Sequence, residues 1–274
     1  LGIVLFFCCF FMTRERYSPR NDTSGSMLTD LKLLAANSQW RIVFLFNILL
    51  LTAVVTRGSA TMYYVNYVLL RPELVFAFIV SGMVASLSGA LLSERLLGKF
   101  DRVRAYQWTI ISFVIFGALI FFIPPSQVWL IFGLNIVFSF IQNLTTPLQW
   151  TMFSDVVDYE EHRSGRRLDG LVFSTALFAI KFGLALGGAV VGWVLGMVDY
   201  APGQANQAPH VLATINALFT LIPCVLFLCM VALLAIYKLN SRLVDSIARE
   251  LASKRDSRND AGQLSPATQS ALQE

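Results

Sequence analysis

Six stretches of this 274-residue chain are apolar over lengths close to what a helix needs to cross a membrane. A hydrocarbon core takes about 20 residues of helix, each rising 1.5 Å. The stretches are 41–69, 74–95, 105–123, 128–152, 171–198 and 211–238. Turn-forming or charged residues fall between them: Arg71-Pro72-Glu73, the basic run from Gly98 to Arg104, Pro124-Pro125-Ser126, and the segment from Asp199 to Pro209. The pattern predicts an all-α membrane protein with a six-helix bundle over 41–238. Composition agrees: 14% of residues are charged and 56% hydrophobic, whereas soluble domains carry about 25% charge.

The flanks read differently. Residues 1–12 are apolar but too short to span, and they lack the charged start of a signal peptide, so they are expected to be the end of a helix that begins upstream. Residues 13–40 are polar. A flexible linker is predicted at 19–26, and Leu28, Leu31, Leu34 and Ala35 predict a short amphipathic helix up to Asn37. Trp40 and Arg41 suit an interfacial anchor. In the tail, 239–274, Leu243, Ile247 and Leu251 predict one amphipathic helix, with disorder expected after Arg255. Cys8, Cys9, Cys224 and Cys229 all lie in apolar runs and read as packing residues.

Charge placement orients the bundle. Segments 13–41, 95–104 and 163–167 and the tail from Lys238 hold 18 of the 21 Lys and Arg residues. The alternate loops hold only Arg71. The positive-inside rule makes the heavy segments, including the C-terminus, cytoplasmic. The net charge of +4 is thus a topology signal, and no nucleic-acid partner is expected.

Ser154 to Arg167 is the densest charged segment, with four carboxylates, His162 and three arginines. It reads as a cytoplasmic loop and as a gate. Asp155 and Asp158 share a face if the preceding helix continues, and Arg166 and Arg167, or groups outside this chain, are their candidate partners. Single exposed pairs contribute only about 0–1 kcal/mol, so such a latch needs several. The spacing of His162 and the carboxylates fits no standard metal set, and no nucleophile stands beside a base. No metal site and no enzymatic activity are expected.

Polar groups inside the spans need a reason, since each charge costs at least about 2.5–3.5 kcal/mol to insert. Lys181 falls near mid-membrane and shares a helical face with Ala185, Gly188 and Gly192, so a packed neighbour or a cavity is expected beside it. Arg57 is close enough to the outer end to snorkel, or to bind. Asn143, Thr145, Thr146 and Gln149 form a polar stripe around Pro147, with Trp150 following. The stripe reads as the wall of a polar cavity or as side chains bonding to backbone groups freed by the proline. Amides and an aromatic ring suit the hydroxyls and CH faces of sugars, so Asn143, Thr146, Gln149, Trp150, Lys181 and Arg57 are the candidate substrate contacts. No Asp or Glu lies deep in any span, so a coupling-cation site is expected outside these residues.

Asp155-Val156-Val157-Asp158-Tyr159, Ser164-Gly165-Arg166-Arg167, Gly170 and Lys181, in that order, resemble the loop-to-helix signature of the glycoside–pentoside–hexuronide:cation symporters. That family belongs to the major facilitator superfamily. Thr13-Arg14-Glu15-Arg16 and Tyr63-Tyr64 with Tyr67-Val68 resemble it too, and the likeness runs to about residue 240. The resemblance implies a multi-pass carrier of the bacterial inner membrane with twelve helices in two halves. This chain would be the end of helix 6, the central loop and helices 7–12. It implies symport of a sugar or glycoside with Na⁺ or H⁺ by alternating access, no cofactor, and cation-binding carboxylates in the other half. Lys181 matches a family lysine near the sugar and cation sites, and Asp155, Asp158 and Arg167 match positions associated with gating. Thr146 stands where melibiose carriers place a sugar-proximal tryptophan, and the sequence from Asp158 to Gly170 is closer to the xyloside and hexuronide branches. The alternatives are a membrane module without transport of its own, or a carrier of a non-sugar substrate on the same fold.

Overall fold

The computed structural model describes residues 2–12, 27–98, 100–204 and 206–254. The predicted linker at 19–26 and the disorder expected after Arg255 lie outside them. Helix α1 is Gly2–Met12 and α2 is Met27–Ala36. Then come α3 (Ser38–Tyr63), α4 (Val75–Leu97), α5 (Arg102–Phe122), α6 (Val128–Leu144), α7 (Thr146–Ser164), α8 (Asp169–Met197), α9 (Pro209–Phe219) and α10 (Leu221–Ala235). Residues 241–254 form a last helix, α11.

Six helical stretches among the described residues are long and apolar enough to span a membrane: Ser38–Val68, Pro72–Leu97, Arg102–Phe122, Val128–Ser164, Asp169–Met197 and Pro209–Ala235. Local chemistry sets their ends. The Asn37 side chain accepts from the Gln39 and Trp40 amides and starts α3; Asp101 does the same for α5 through Val103 and Arg104. Gly165 takes the left-handed conformation, φ 71°, that stops α7. Pro147 and Pro223 lack the amide that would continue the ladder, and each falls where one span is assembled from two helices.

Two expectations are corrected, and one residue gains a role. The charged segment is not a loop: α7 continues to Ser164, because its charges find partners along the helix and on neighbouring elements. The indole N–H of Trp40 donates to Thr175 Oγ1 (3.1 Å) and joins α3 to α8. The tail helix buries Val244, Ile247 and Leu251, while Leu243 is 39% exposed, so its apolar face is turned one residue from the predicted one.

The spans pack in close pairs. A Cβ on Gly183 would come 2.8 Å from the Ile48 carbonyl oxygen, and one on Gly187 2.7 Å from Val55 Cβ, so α3 and α8 touch backbone to backbone. Thr52 and Thr56 hydroxyls reach the Gly183 and Gly187 carbonyls across this contact. Helices α4 and α6 pair in the same way, with Gly89 against the Phe140 carbonyl and Ser86 and Ser93 donating to Ser139 O and Leu144 O. Phe113 of α5 packs on Phe227 of α10. One aromatic core, with Phe46, Tyr106, Phe153 and Phe227, lies toward the end carrying Arg102 and Arg163; a second, with Tyr64, Phe78, Ile131 and Phe219, lies toward the opposite end. At that opposite end α3 closes with a π-helical turn, Tyr64–Val68, and the Tyr200 hydroxyl donates to Tyr67 (2.9 Å). Phe76, Trp108, Phe122 and Trp129 stand exposed around the outside, an apolar mantle suited to lipid.

Candidate functional site

A cavity of about 600 Å³ opens between α3, α4 and α6, part-way along the bundle. Phe78, Ile79, Met83 and Phe138 give it apolar walls, and Gly58 and Gly82 leave it room. Its polar groups come mainly from one face of α6: Asn135, Ser139 and Gln142, at i, i+4 and i+7, with Asn143 beside them. The Asn143 amide donates to Ser139 O and its oxygen accepts from the Thr146 hydroxyl (3.3 Å). Asn135 Nδ2 and Ser139 Oγ meet no hydrogen-bond partner among the described residues.

Arg57 closes one wall. It does not snorkel: it is 5% exposed, and its guanidinium lies 4.0 Å from the ring centres of both Phe138 and Phe219. It donates to the Phe219 carbonyl (2.8 Å) and to Asn135 Oδ1 (3.1 Å). The first contact has a covalent cause. Pro223 lacks the amide hydrogen that an unbroken helix would give to Phe219 O, and Arg57 supplies a donor in its place.

The other sequence-derived candidates separate. Asn143 lines the cavity with Arg57. Thr146 is exposed at the α6–α7 break, and Trp150, 44% exposed, leans on Phe153. Gln149 is buried and its amide donates to Asn47, joining α7 to α3 inside the core. Lys181 lies away from this cavity with no ion-pair partner among the described residues. Its face meets no packed neighbour among the described residues: Gly183 and Gly187 take the α3 contact, while Gly188 and Gly192 stay open on the face of Lys181. Asn135, Ser139 and Gln142 are cavity residues outside the candidates expected from sequence. Their signal was present, since polar residues recur there at helical spacing within an otherwise apolar span.

A second polar cluster ties the basic end together. Asp155, 7% exposed, pairs with Arg102 (3.1 Å) and not with the expected Arg166 or Arg167. Continuing α7 past residue 152 turns Asp155 inward toward Arg102 at the start of α5. Arg167 reaches Asp158 (3.6 Å), Glu161 (2.8 Å) and Asp169 (2.6 Å), and Arg166 reaches Asp30 of α2 (2.6 Å). Burial alone would lower the Arg167 pKa, but hydrogen bonds to Asp169 and Glu161 outweigh it and raise it. Fully buried Glu160 accepts from Asn37 (2.6 Å) and pairs with Arg163, which also donates to Leu33 O. His162 faces Glu250 of α11 at 3.6 Å. These contacts join α2, α5, α7, α8 and α11 within this one chain.

A family model described as an MFS/sugar transport protein matches residues 1–241. The chain is 50% identical over 260 residues to the Escherichia coli K12 protein named "Putative glycoside/cation symporter YagG", covering 95% of this chain and 56% of that protein. It is 37% identical over 246 residues to the "Inner membrane symporter YicJ" of the same strain, covering 89% and 53%. A 28% identity over 263 residues, 93% and 55% covered, relates it to the "Glucuronide carrier protein homolog". The chain thus spans about half the length of these curated relatives.

Proposed function

The chain belongs to the MFS/sugar transport family, and from that premise we propose that it forms the C-terminal half of an alternating-access carrier moving a sugar or glycoside together with Na⁺ or H⁺. The observation that carries this reading is the cavity of about 600 Å³, whose α6 wall offers amide and hydroxyl groups in a space also lined by the apolar side chains Phe78, Ile79 and Met83 of α4. Hydroxyl-rich rings need such groups, and a pocket of this size suits a glycoside. The coupling cation is assigned to the other half, in keeping with spans whose mid-membrane positions hold no Asp or Glu in this sequence.

The basic end faces the cytoplasm in this reading, since it gathers most of the Lys and Arg residues. Asp155, Asp158, Arg166 and Arg167 then form part of a cytoplasmic gate by holding α5, α7, α8 and α2 as one plate that moves as a unit. Lys181, on the open face of α8, contributes to substrate or cation contact once the other half is opposite it.

The test is uptake of labelled glycosides by the full-length protein in proteoliposomes, with and without Na⁺ or H⁺ gradients. Uptake driven by one of them is expected. Uptake that ignores both gradients removes symport. Wild-type uptake by Lys181→Ala removes that residue from the site.

A further inference from the structure

We propose that Asn135 is a substrate-contacting residue of the cavity, held by Arg57 as an obligate donor to an acceptor oxygen of the substrate. The inference rests on the carrier reading above and narrows it to one atom. A guanidinium has only donors, so it fixes which way the Asn135 amide is turned: Oδ1 must face Arg57, as the 3.1 Å contact has it, and Nδ2 must face away. Asn135 is 94% buried by the measure of its 6% exposure, yet Nδ2 meets no acceptor among the described residues and is not sealed from the cavity. A buried amide donor without an acceptor is unfavourable until something supplies one.

The surroundings are shaped for that supplier. Gly82 of α4 stands opposite Nδ2; a Cβ there would lie 3.7 Å from it and 3.2 Å from Ser139 Oγ. The missing side chain keeps this corner open, and Ser139 adds a hydroxyl that can donate or accept. Arg57 itself is turned to the Phe219 carbonyl and held between two rings, so it acts on the substrate through Asn135 and is a positioning residue. The acceptor oxygen can belong to a sugar hydroxyl or to a carboxylate; both accept from an N–H.

Asn135→Asp tests this in the full-length carrier. The shape is kept, one carboxylate oxygen pairs with Arg57, and the other puts an acceptor where the donor stood. The variant is expected to melt no lower than wild type, because the buried arginine gains a counterion. Binding is read with p-nitrophenyl β-xyloside, its deoxy and deoxyfluoro analogues at each ring hydroxyl, and p-nitrophenyl β-glucuronide. Fluorine accepts but does not donate. If the oxygen is a hydroxyl, wild type keeps the fluoro analogue at one ring position and loses about tenfold for the deoxy one, while Asn135→Asp loses about tenfold for the fluoro analogue relative to the parent. If the oxygen is a carboxylate, Asn135→Asp loses the glucuronide by about tenfold or more and keeps the xyloside. A stable Asn135→Asp that binds every probe as wild type does overturns the proposal and leaves the transport reading standing. Binding without gradient-driven uptake overturns symport and leaves the subsite. Wild type that binds no probe overturns both.

Discussion

Two side chains show how single residues set this structure. Arg57 occupies a place that sequence logic gives to a snorkelling or ligand-binding cation, yet its first task is to satisfy Phe219 O, the carbonyl that Pro223 leaves without a donor. Arg57→Ala is expected to lower stability by about 1–3 kcal/mol, since it strands that carbonyl in the core. Pro223→Ala restores the backbone donor, so the double variant should lose less than the sum of the single changes; a melting-temperature cycle reads the difference, and strict additivity would separate the two residues. Asp101 works at the basic end. Burial alone would push its carboxyl up, but hydrogen bonds from Ser241, Arg104 and Val103 outweigh this and hold it below its ordinary value of 3.8. A depressed pKa stabilises above the unfolded value and stops doing so as pH falls through the folded one. Melting curves from about pH 5 down to about pH 3 should therefore fall more steeply for wild type than for Asp101→Asn.

At the scale of helices, five glycines of α8 with the same spacing in sequence play two different parts. Gly183 and Gly187 lie against Ile48, Leu51 and Val55 of α3, whereas Gly188, Gly192 and Gly196 meet nothing within 4 Å. Gly187→Ala should destabilise by about 1–3 kcal/mol through overpacking, while Gly188→Ala should leave thermal stability of this half near wild type. Equal effects would mean that the α3 contact is not the tight one. The same helices show what could be read from sequence. All six spans were legible, because hydropathy over about 20 residues is a strong signal. The extent of α7 was not, because charge density marks departure from lipid and says nothing about whether the helix stops there. Which face of α8 packs was not legible either: glycine spacing is nearly the same on two adjacent faces, and only the partner helix decides.

Over the whole molecule, the polar side chains that line the cavity lie mostly ahead of the stripe around Pro147 that stands out in sequence. The Asn143–Trp150 stripe stood out because it surrounds a helix break, while Asn135, Ser139 and Gln142 sit quietly among apolar neighbours, and it is the cavity that gathers them with Arg57. Partner choice at the basic end was equally hidden, since the pairing of Asp155 with Arg102 across 53 positions depends on α5 lying beside α7. The pairing of spans has a last consequence. Within this chain helix α4 is fastened mainly to α6, through Gly89 and the Ser86 and Ser93 hydroxyls, and among the described residues no hydrogen bond joins it to α3 across the mouth of the cavity. The donors on α6 are fixed in place, but the gap that α4 borders is not. On the glycoside-carrier reading proposed above, such a site would read the ring strictly and the aglycone leniently: across a series of xylosides with growing aglycones, affinity should fall less than it does between epimers of a single ring hydroxyl, and a sharp size limit in that series would mean that α4 holds its place.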